Sequence, residues 1–436
     1  MISQTSPTEI IVDQQPTSHR RRVSLARVWR YRLLAFFAVF GPGFITANVD
    51  NDVGGILTYS QAGAKFGYAL LWTLIPTTIA LIVVQEMAAR MGAVTGKGLS
   101  DLIREEFGLR VTFFTMLIIG IANFGNIAAE FAGLASGMGI LGVSKYVSVP
   151  IGAALVWIVV VQGSYRPVEK ILIFFSFVYF TYIASALYAH PDWHAAVRDT
   201  FVPVVSKSSD YLIVVVGLVG TTITPWMQFY LQSSIVEKGI GKKEYALSRW
   251  DVILGCIITD VVAFFIVVAC AATLYVTGQH DISDASQAAV ALRPLVGQFA
   301  SLLFAVGLVN AALLSAAILP LATTYTICEG LGVESGVNRR FSEAKVFYWL
   351  YTVLIAGGAG VVLIPQIPLI KVILLSQVLN GVLIPFVLMF MIKLINTHYI
   401  TGEYRNTLIA NVIAWGTSIV MIVLTVAMVY TTLTQS

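Results

Sequence analysis

Charged side chains are scarce in this chain: they make up 11% of its residues, while 57% are hydrophobic. Soluble domains carry about 25% charged residues, so a soluble globular protein is excluded. A mean hydropathy of +0.83 is typical of a protein that crosses the membrane several times. The net charge of +4 gives no indication of a nucleic-acid partner. The composition predicts an all-α polytopic membrane protein surrounded by the lipid bilayer.

Cysteine and histidine are also scarce, which limits the chemistry open to the chain. The three cysteines are spread through apolar segments and match neither a metal motif nor a disulfide framework. The five histidines fall in the N-terminal tail or in predicted loops, which excludes a histidine proton shuttle within the membrane. We find no pairing of a nucleophile with a base. We therefore expect neither an enzyme nor a resident cofactor.

Long apolar runs, by contrast, are abundant. A membrane-spanning helix needs about 20 mostly apolar residues, and eleven stretches meet that need. We number these predicted spans 1 to 11; they cover residues 33–61, 69–89, 111–141, 147–163, 171–189, 211–235, 252–276, 300–328, 345–364, 369–395 and 407–432. The connection at 96–107 is predicted to be a short amphipathic helix capped by Ser100.

Most of the 27 lysines and arginines fall in the N-terminal tail and in loops on the same side of the membrane. Basic loops stay in the cytoplasm, so the N-terminus is predicted to be cytoplasmic and the C-terminus, after eleven spans, extracellular. Residues 1–32 are predicted to be a disordered basic tail without a cleavable signal peptide. Residues 33–398 form a core of ten spans, and residues 399–436 add the eleventh.

Two carboxylates, Asp50 and Asp52, stand inside predicted span 1, and Gly54 and Gly55 follow at once. A charge at the bilayer centre is costly, so such residues usually face a cavity and mark an ion path. The glycine pair favours a break in the helix, which would free backbone carbonyl groups. Span 1 is therefore predicted to supply a small, oxygen-rich site that suits a hard cation.

Predicted span 6 is interrupted as well, because Pro225 lacks an amide hydrogen and clashes with the preceding turn. Thr221, Thr222 and Thr224 crowd just before it. Two interrupted helices at corresponding positions of two halves are typical of an inverted-repeat transporter. The pattern predicts a 5+5 inverted repeat with broken helices 1 and 6, and with span 11 appended.

Helix geometry limits what the two aspartates can do. Residues two apart point to nearly opposite sides of an intact helix, so Asp50 and Asp52 share a cavity only if the backbone unwinds. We expect Asp52 to be the main metal ligand because it lies next to the glycine pair. Asp50 is either a second ligand or a structural hydrogen-bond partner. Asn51 and Gly55 complete the candidate site on this span.

With these motifs the chain resembles the Nramp family of divalent-metal transporters. The likeness begins with Gly41-Pro42, Asp52-Val53-Gly54-Gly55 and Gly67-Tyr68, and it continues through Thr95-Gly96-Lys97, Ala129-Glu130-Phe131, Arg249-Trp250-Asp251-Val252 and Ser376-Gln377-Val378. It covers nearly the whole membrane region. The resemblance implies a LeuT-like fold and an alternating-access transport cycle.

The chain departs from the family pattern at the metal site. Nramp proteins carry Asp-Pro-Gly-Asn on span 1 and Met-Pro-His on span 6; here Gly55 replaces the asparagine and Thr224 replaces the methionine. The methionine thioether is a soft ligand, which favours Mn, Fe and heavier metals. The acidic positions of the family's proton route align with Gly120 and Ile127, so only Glu130 remains. These losses resemble those of the Nramp-related magnesium transporters.

Four further polar residues have two interpretations each. Gln377 matches a family position that approaches the ion in some states, or it makes an interhelical hydrogen bond. Thr221 is an oxygen ligand, or it bonds back to its own helix. Glu130 pairs within the bundle or adds a charge to the ion path. Asp260, in span 7, matches nothing in the family pattern and is an ion-path candidate by position alone.

These features predict an importer of Mg²⁺, and also of Mn²⁺, that works by alternating access without proton coupling. The ion would bind mid-membrane and keep part of its water shell, because Mg²⁺ dehydrates reluctantly. The alternative is a proton-coupled Mn²⁺/Fe²⁺ transporter of the ordinary Nramp type; a third hypothesis is an amine carrier with an ammonium at Asp52. We expect a monomer in a bacterial inner membrane, with divalent cations as substrate.

Overall fold

Long apolar helices joined by short connections account for almost all of the described residues. The structure is a computed structural model, and it describes residues 49, 51–161, 180–337, 339 and 341–435. The principal helices, numbered α1 to α13 in chain order, are Val53–Phe66, Leu74–Thr95, Leu99–Ile140, Lys145–Val161, Phe180–Tyr188, Trp193–Phe201, Ser209–Thr222, Pro225–Glu237, Tyr245–Cys270, Ala300–Leu331, Lys345–Leu363, Leu369–Asn396 and Leu408–Gln435.

Eight helical segments in the described part of the chain are long and apolar enough to cross a membrane. They correspond to predicted spans 2, 3 and 6 to 11, and the shorter α4 corresponds to span 4. The first halves of predicted spans 1 and 5 lie outside the described residues. The predicted tail at 1–32 lies outside them too. The total of eleven spans therefore stays a prediction.

The predicted break in span 6 is present, and proline sets its position. α7 ends at Thr222 and α8 begins at Pro225. Thr224 has an extended backbone (φ −74°, ψ 141°), which is the conformation that a residue before proline favours. Pro225 sits at the first position of α8, where an N–H would have no helical partner. Because it has no N–H, the carbonyl of Thr221 also loses its helical donor.

Predicted span 1 is interrupted too, but not where the glycine pair indicated. Gly54 and Gly55 lie within α1, whereas Asn51 and Asp52 lie outside any helix. Asp52 is extended (φ −69°, ψ −174°) and is the N-cap of α1. Aspartate is a preferred N-cap because its carboxylate accepts a hydrogen bond from a free N–H of the first turn. The carboxylate therefore starts the helix, Gly55 supplies the N–H that it accepts, and Gly54 permits close packing against Gln377.

α3 begins at Leu99, well before predicted span 3, because the amphipathic connection runs directly into it. Gly108 interrupts this long helix with a φ of 80°, a value that residues with a side chain rarely adopt. The predicted cap is wrong. Gly98 is the N-cap and makes no side-chain bond, while the Ser100 hydroxyl lies 3.4 Å from the sulfur of Met116.

Glycine allows the helices around the two breaks to approach closely. A Cβ added at Gly220 in α7 would lie 2.1 Å from the carbonyl oxygen of Gln377 in α12. One added at Gly381 in α12 would lie 2.4 Å from a carbonyl oxygen of α7, and one at Gly133 in α3 would lie 2.2 Å from Cγ2 of Val53. Small residues permit such contacts between membrane helices. They hold α7 to α12, and α3 to the start of α1.

Ion pairs join the helices at the end of the bundle that is predicted to face outward. Nζ of Lys65, near the end of α1, lies 2.8 Å from Asp210 of α7 and 3.3 Å from Asp281 of the connection before α10. Gln61 binds the same connection: it donates to Asp281 over 3.1 Å and accepts from the N–H of Ile282 over 2.8 Å. We call Lys65, Gln61, Asp210 and Asp281 the outer tie.

Candidate metal centre

Asp52 lies where free N–H groups converge at the start of α1. It is 4% exposed, and its Oδ1 accepts a hydrogen bond from the N–H of Gly55 over 2.7 Å. The N-terminal end of a helix also stabilises a nearby negative charge. A carboxylate has lone pairs on two oxygens, so one held in this way can still present an oxygen to a cation. Asp52 thus caps α1 and fits the predicted role of anionic ligand.

Gln377 of α12 lies against both helix breaks. Its Nε2 lies so close to Gly54 that a Cβ added there would be 2.0 Å from it, and 3.0 Å from Oδ1 of Asp52. The backbone carbonyl of Gln377 packs on Gly220, one residue before Thr221. One residue therefore contacts both interrupted helices, which brings Asp52 and Thr221 to the same part of the bundle.

Three of the predicted ligands present oxygens that no protein group satisfies. Within the described residues, Oδ1 of Asn51 and Oγ1 of both Thr221 and Thr224 are buried and lack a hydrogen-bond partner. Leaving such an atom unpaired costs about 1–3 kcal/mol. A cation, or water bound to one, would be a suitable partner. Thr221 does not bond back to its own helix, whereas Thr222 does, over 2.8 Å.

Glu130 of α3 adds a second carboxyl group beside Asp52. It is fully buried, and its carboxyl group faces the backbone N–H of Val53 at the start of α1. Its carboxyl group interacts electrostatically with that of Asp52, since Gly133, one turn along α3, packs on Val53. Two buried like charges repel unless a cation or a proton lies between them. The site therefore offers two acidic groups, not one.

A chain of buried amides supports Gln377, and the sequence analysis missed it. Asn126 of α3 and Asn380 of α12 exchange two hydrogen bonds of 2.9 and 3.1 Å. Asn380 also donates to Oε1 of Gln377 over 3.1 Å. With that oxygen engaged, Gln377 directs its NH₂ group toward Gly54 and Ser376. The hydrogen bonds of Gln377 to Ser376 and Asn380 both lie within α12, and Asn380 makes the hydrogen bonds to α3. Ligation of a metal through Oε1 of Gln377 would require the amide to turn over and stays a prediction.

One face of α8 continues the row of unpaired oxygens, and this too was missed. Gln228 and Gln232 follow Thr224 at intervals of four residues, or about one turn. Their nitrogens donate to backbone carbonyls over 3.4 and 2.9 Å, which leaves Oε1 of each buried and unpaired within the described chain. A threonine followed by amides at i+4 and i+8 within an apolar span was the available signal.

Of the remaining predicted residues, the structure describes Gly55 and Asp260. Gly55 contributes its N–H to Asp52. Asp260 is buried in α9, both of its carboxylate oxygens lack a hydrogen-bond partner in the described ranges, and the side chain that it faces is Thr78 of α2. Asp50 lies outside the described residues. The ion-path role of Asp260 stays a prediction.

The chemistry of this centre is that of oxygen. The described residues contain no group of three or more His, Cys, Asp or Glu side chains that could hold a metal ion. The centre instead combines two carboxyl groups with hydroxyl, amide and freed backbone oxygens. Such ligands suit hard divalent cations, which can also keep part of their water shell.

The comparison with protein families agrees with this geometry. The family model described as natural resistance-associated macrophage protein-like (Nramp) matches residues 43–431. The chain belongs to the Nramp family. A relative of this Nramp chain, the divalent metal cation transporter MntH of Klebsiella pneumoniae subsp. pneumoniae, is 28% identical over 407 residues, which cover 92% of this chain and 95% of the relative.

Solved structures confirm the predicted LeuT-like fold of this Nramp protein. A manganese transporter of Eremococcus coleocola matches with a TM-score of 0.70 at 21% identity, over 91% of this chain and 86% of that one. MhsT, solved with L-phenylalanine, matches with a TM-score of 0.53 at 13% identity, over 88% and 98% of the two chains. As a member of the Nramp family, the chain is a multi-pass membrane transporter of divalent metal cations, and its relatives are transporters, not enzymes.

Proposed function

We propose that this Nramp protein imports Mg²⁺, and also Mn²⁺, by alternating access, and that transport is not coupled to protons. The observation that supports this proposal is the set of buried, unpaired oxygens on Asn51, Thr221 and Thr224 beside the Asp52–Glu130 pair. Water bound to a cation donates hydrogen bonds outward, so these oxygens would accept them. A site of this kind would hold a partly hydrated ion.

The ligand chemistry at Thr224 supports the preference for Mg²⁺. Its hydroxyl stands at the break where the family pattern has a methionine thioether. Without that soft ligand, the site loses its advantage for Fe²⁺ and heavier metals. Mg²⁺ needs only one or two carboxylates and keeps several waters. Mn²⁺ also accepts oxygen ligands, so we expect it to share the route.

The absence of proton coupling is proposed from residues that cannot carry a proton. Gly120 and Ile127 occupy the positions that the resemblance assigns to acidic residues of the proton route. We further propose that the protein is a monomer in a bacterial inner membrane. We also propose that its N-terminus lies in the cytoplasm and its C-terminus outside, because the basic residues concentrate on one side of the membrane.

The deciding experiment is Mg²⁺ flux into proteoliposomes that hold the purified protein, with a pH dye recorded in parallel. We expect Mg²⁺ entry at an unchanged internal pH. Acidification of the lumen in step with Mg²⁺ entry would remove the claim of uncoupled transport. Proton-linked Mn²⁺ entry without any Mg²⁺ entry would remove the magnesium assignment as well.

The Asp52→Ala variant tests the site itself. We expect its Mg²⁺ flux to fall by at least about 100-fold, since losing a group that merely supports a metal ligand already costs 10–100-fold. Asp210→Ala is the matched control, because it removes a carboxylate from the outer tie, far along α7 from the break. Equal fluxes in the two variants would contradict the proposed site.

One observation favours a second candidate, proton-coupled Mn²⁺ transport. Glu130 is fully buried beside Asp52, and one of two adjacent buried acids tends to hold a proton. A metal that displaced this proton would couple the two fluxes. If transport is coupled to protons in this way, Glu130→Gln would abolish the change in internal pH but leave metal entry intact. If transport is uncoupled, the wild type already shows no change in internal pH.

A further inference from the structure

An apolar groove of about 300 Å³ opens between α2, α7 and α13, away from the metal centre. α13 is the helix outside the predicted inverted repeat, and it packs on α2, α7 and α12. The groove is lined by residues of all three helices, among them Thr77, Val219, Gly416 and Met421, and by Trp72 just before α2 and Ile223 just after α7.

Polar groups in the groove wall are already satisfied by the protein. The hydroxyls of Thr73, Thr77 and Thr417 each donate to a backbone carbonyl of the same helical segment or of the turn before it, at 2.6–2.8 Å. The indole N–H of Trp72 donates to the hydroxyl of Tyr211 over 3.3 Å. A groove that offers no free donor or acceptor gives water nothing to bind. Its occupant must therefore be apolar.

The position of the groove identifies that occupant. Its walls belong to helical segments that are long and apolar enough to span a membrane, and neighbouring side chains on them, such as Ile75 and Ile419, are exposed. The medium at its mouth is therefore lipid tails. The volume is about twice that of a dry cavity known to bind benzene. We propose that the groove is a binding site for one acyl chain of a membrane phospholipid.

The groove lies next to the break between α7 and α8. Ile223, in the groove wall, is the residue that follows the end of α7, and Thr224 of the metal centre comes next. A bound acyl chain would fill the space between α7 and α13 and so support the end of α7. This consequence for transport rests on the proposed function, whereas binding of the chain does not.

Gly416 allows the groove to be filled without disturbing the fold. A Cβ added there meets nothing within 4 Å, so Gly416→Phe would place its ring in the groove. Gly360 of α11 is the matched control, because it too is a helical glycine with open space beside it, and it does not line the groove. Each protein is purified in the presence of phospholipid, and loosely bound lipid is removed with a mild detergent. Native mass spectrometry then measures the mass of the intact protein with any lipid that it retains.

We expect the wild type and Gly360→Phe to retain one phospholipid and Gly416→Phe to lose it. Lipids with brominated tails should quench the fluorescence of Trp72, which is measured as the signal that Trp72→Phe lacks. In Gly416→Phe, this quenching of Trp72 should disappear. Equal retention in all three proteins, or none in any, would overturn the proposal. So would a dimer of the wild type that Gly416→Phe converts to a monomer, since a second copy would then cover the groove. Neither measurement depends on ion flux.

Discussion

At the scale of single residues, Thr224 is where the ligand chemistry can be changed most directly. Its Oγ1 is buried and unpaired within the described residues. We expect Thr224→Met to raise the preference for Mn²⁺ or Cd²⁺ over Mg²⁺, because a thioether is a softer ligand than a hydroxyl. A tenfold rise would correspond to about 1.4 kcal/mol. Competitive uptake of the ion pairs measures this preference.

Met227 provides the control for that substitution. It is a buried methionine two residues into α8 from Pro225. Met227→Leu should leave the ratio of Mg²⁺ to Mn²⁺ uptake unchanged if no thioether contributes to selectivity. If the uptake ratio changed in Met227→Leu but not in Thr224→Met, selectivity would depend on Met227, which would contradict our account of Thr224.

Gly54 is the second residue with a specific expectation. A Cβ at this position would lie 2.0 Å from Nε2 of Gln377, so Gly54→Ala must displace that side chain from the site. We expect the KM for Mg²⁺ uptake to rise by about tenfold, in the range found when groups around a metal ligand are lost. Gly125→Ala in α3, where an added Cβ meets nothing, should behave as wild type. An unchanged KM in Gly54→Ala would show that Gln377 does not contribute to ion binding.

The sequence could predict Asp52 but not the orientation of Gln377, and the difference is physical. A carboxylate in an apolar span is informative by itself, because its burial must be compensated. The direction of the Gln377 amide depends on Asn380 and Asn126, and the pairing of these residues follows from the packing of α12 on α3. Such contacts between helices distant in sequence leave no local pattern to recognise.

At the scale of elements, the proline break could be located from sequence and the glycine break could not. Pro225 removes a donor, which fixes the start of α8 to one residue. Gly54 and Gly55 only permit a break, and here Asp52 starts the helix before them by capping it. Ser100 shows the same limit, since the nearby Gly98 became the cap instead.

The link between α3 and α12 gives a prediction at this scale. Asn380→Leu should raise the KM for Mg²⁺ uptake and lower the melting temperature, because it frees Gln377 and leaves Asn126 buried without its partner, at a cost of about 1–3 kcal/mol. The double variant Asn126→Leu/Asn380→Leu removes both amides of the pair. It should recover stability while the KM stays raised. If the double variant recovered both the melting temperature and the KM, the amides of Asn126 and Asn380 would have only a structural role.

At the scale of the whole molecule, the outer tie joins α1 to α7 and to the connection before α10. Exposed ion pairs contribute about 0–1 kcal/mol each. Because Lys65 makes two of them, Lys65→Met should favour opening of the predicted outer end by less than about thirtyfold. The measurement is labelling of Ser60→Cys, a buried position on α1, by a membrane-impermeant maleimide. Lys371→Met, at an exposed lysine, is the control and should label at the original rate. Slower labelling in Lys65→Met would contradict this role.

The Asp52–Glu130 pair also determines how the membrane voltage acts on the carrier. If both groups stay ionised throughout the proposed uncoupled cycle, the site loaded with a divalent ion would be formally neutral and the empty site would carry two negative charges. A voltage acts only on the charged form, at about 2.3 kcal/mol per charge for each 100 mV crossed. An interior-negative potential drives the empty, negative site toward its outward-facing state. The electrical work of import is then done on the return journey, after the ion has left.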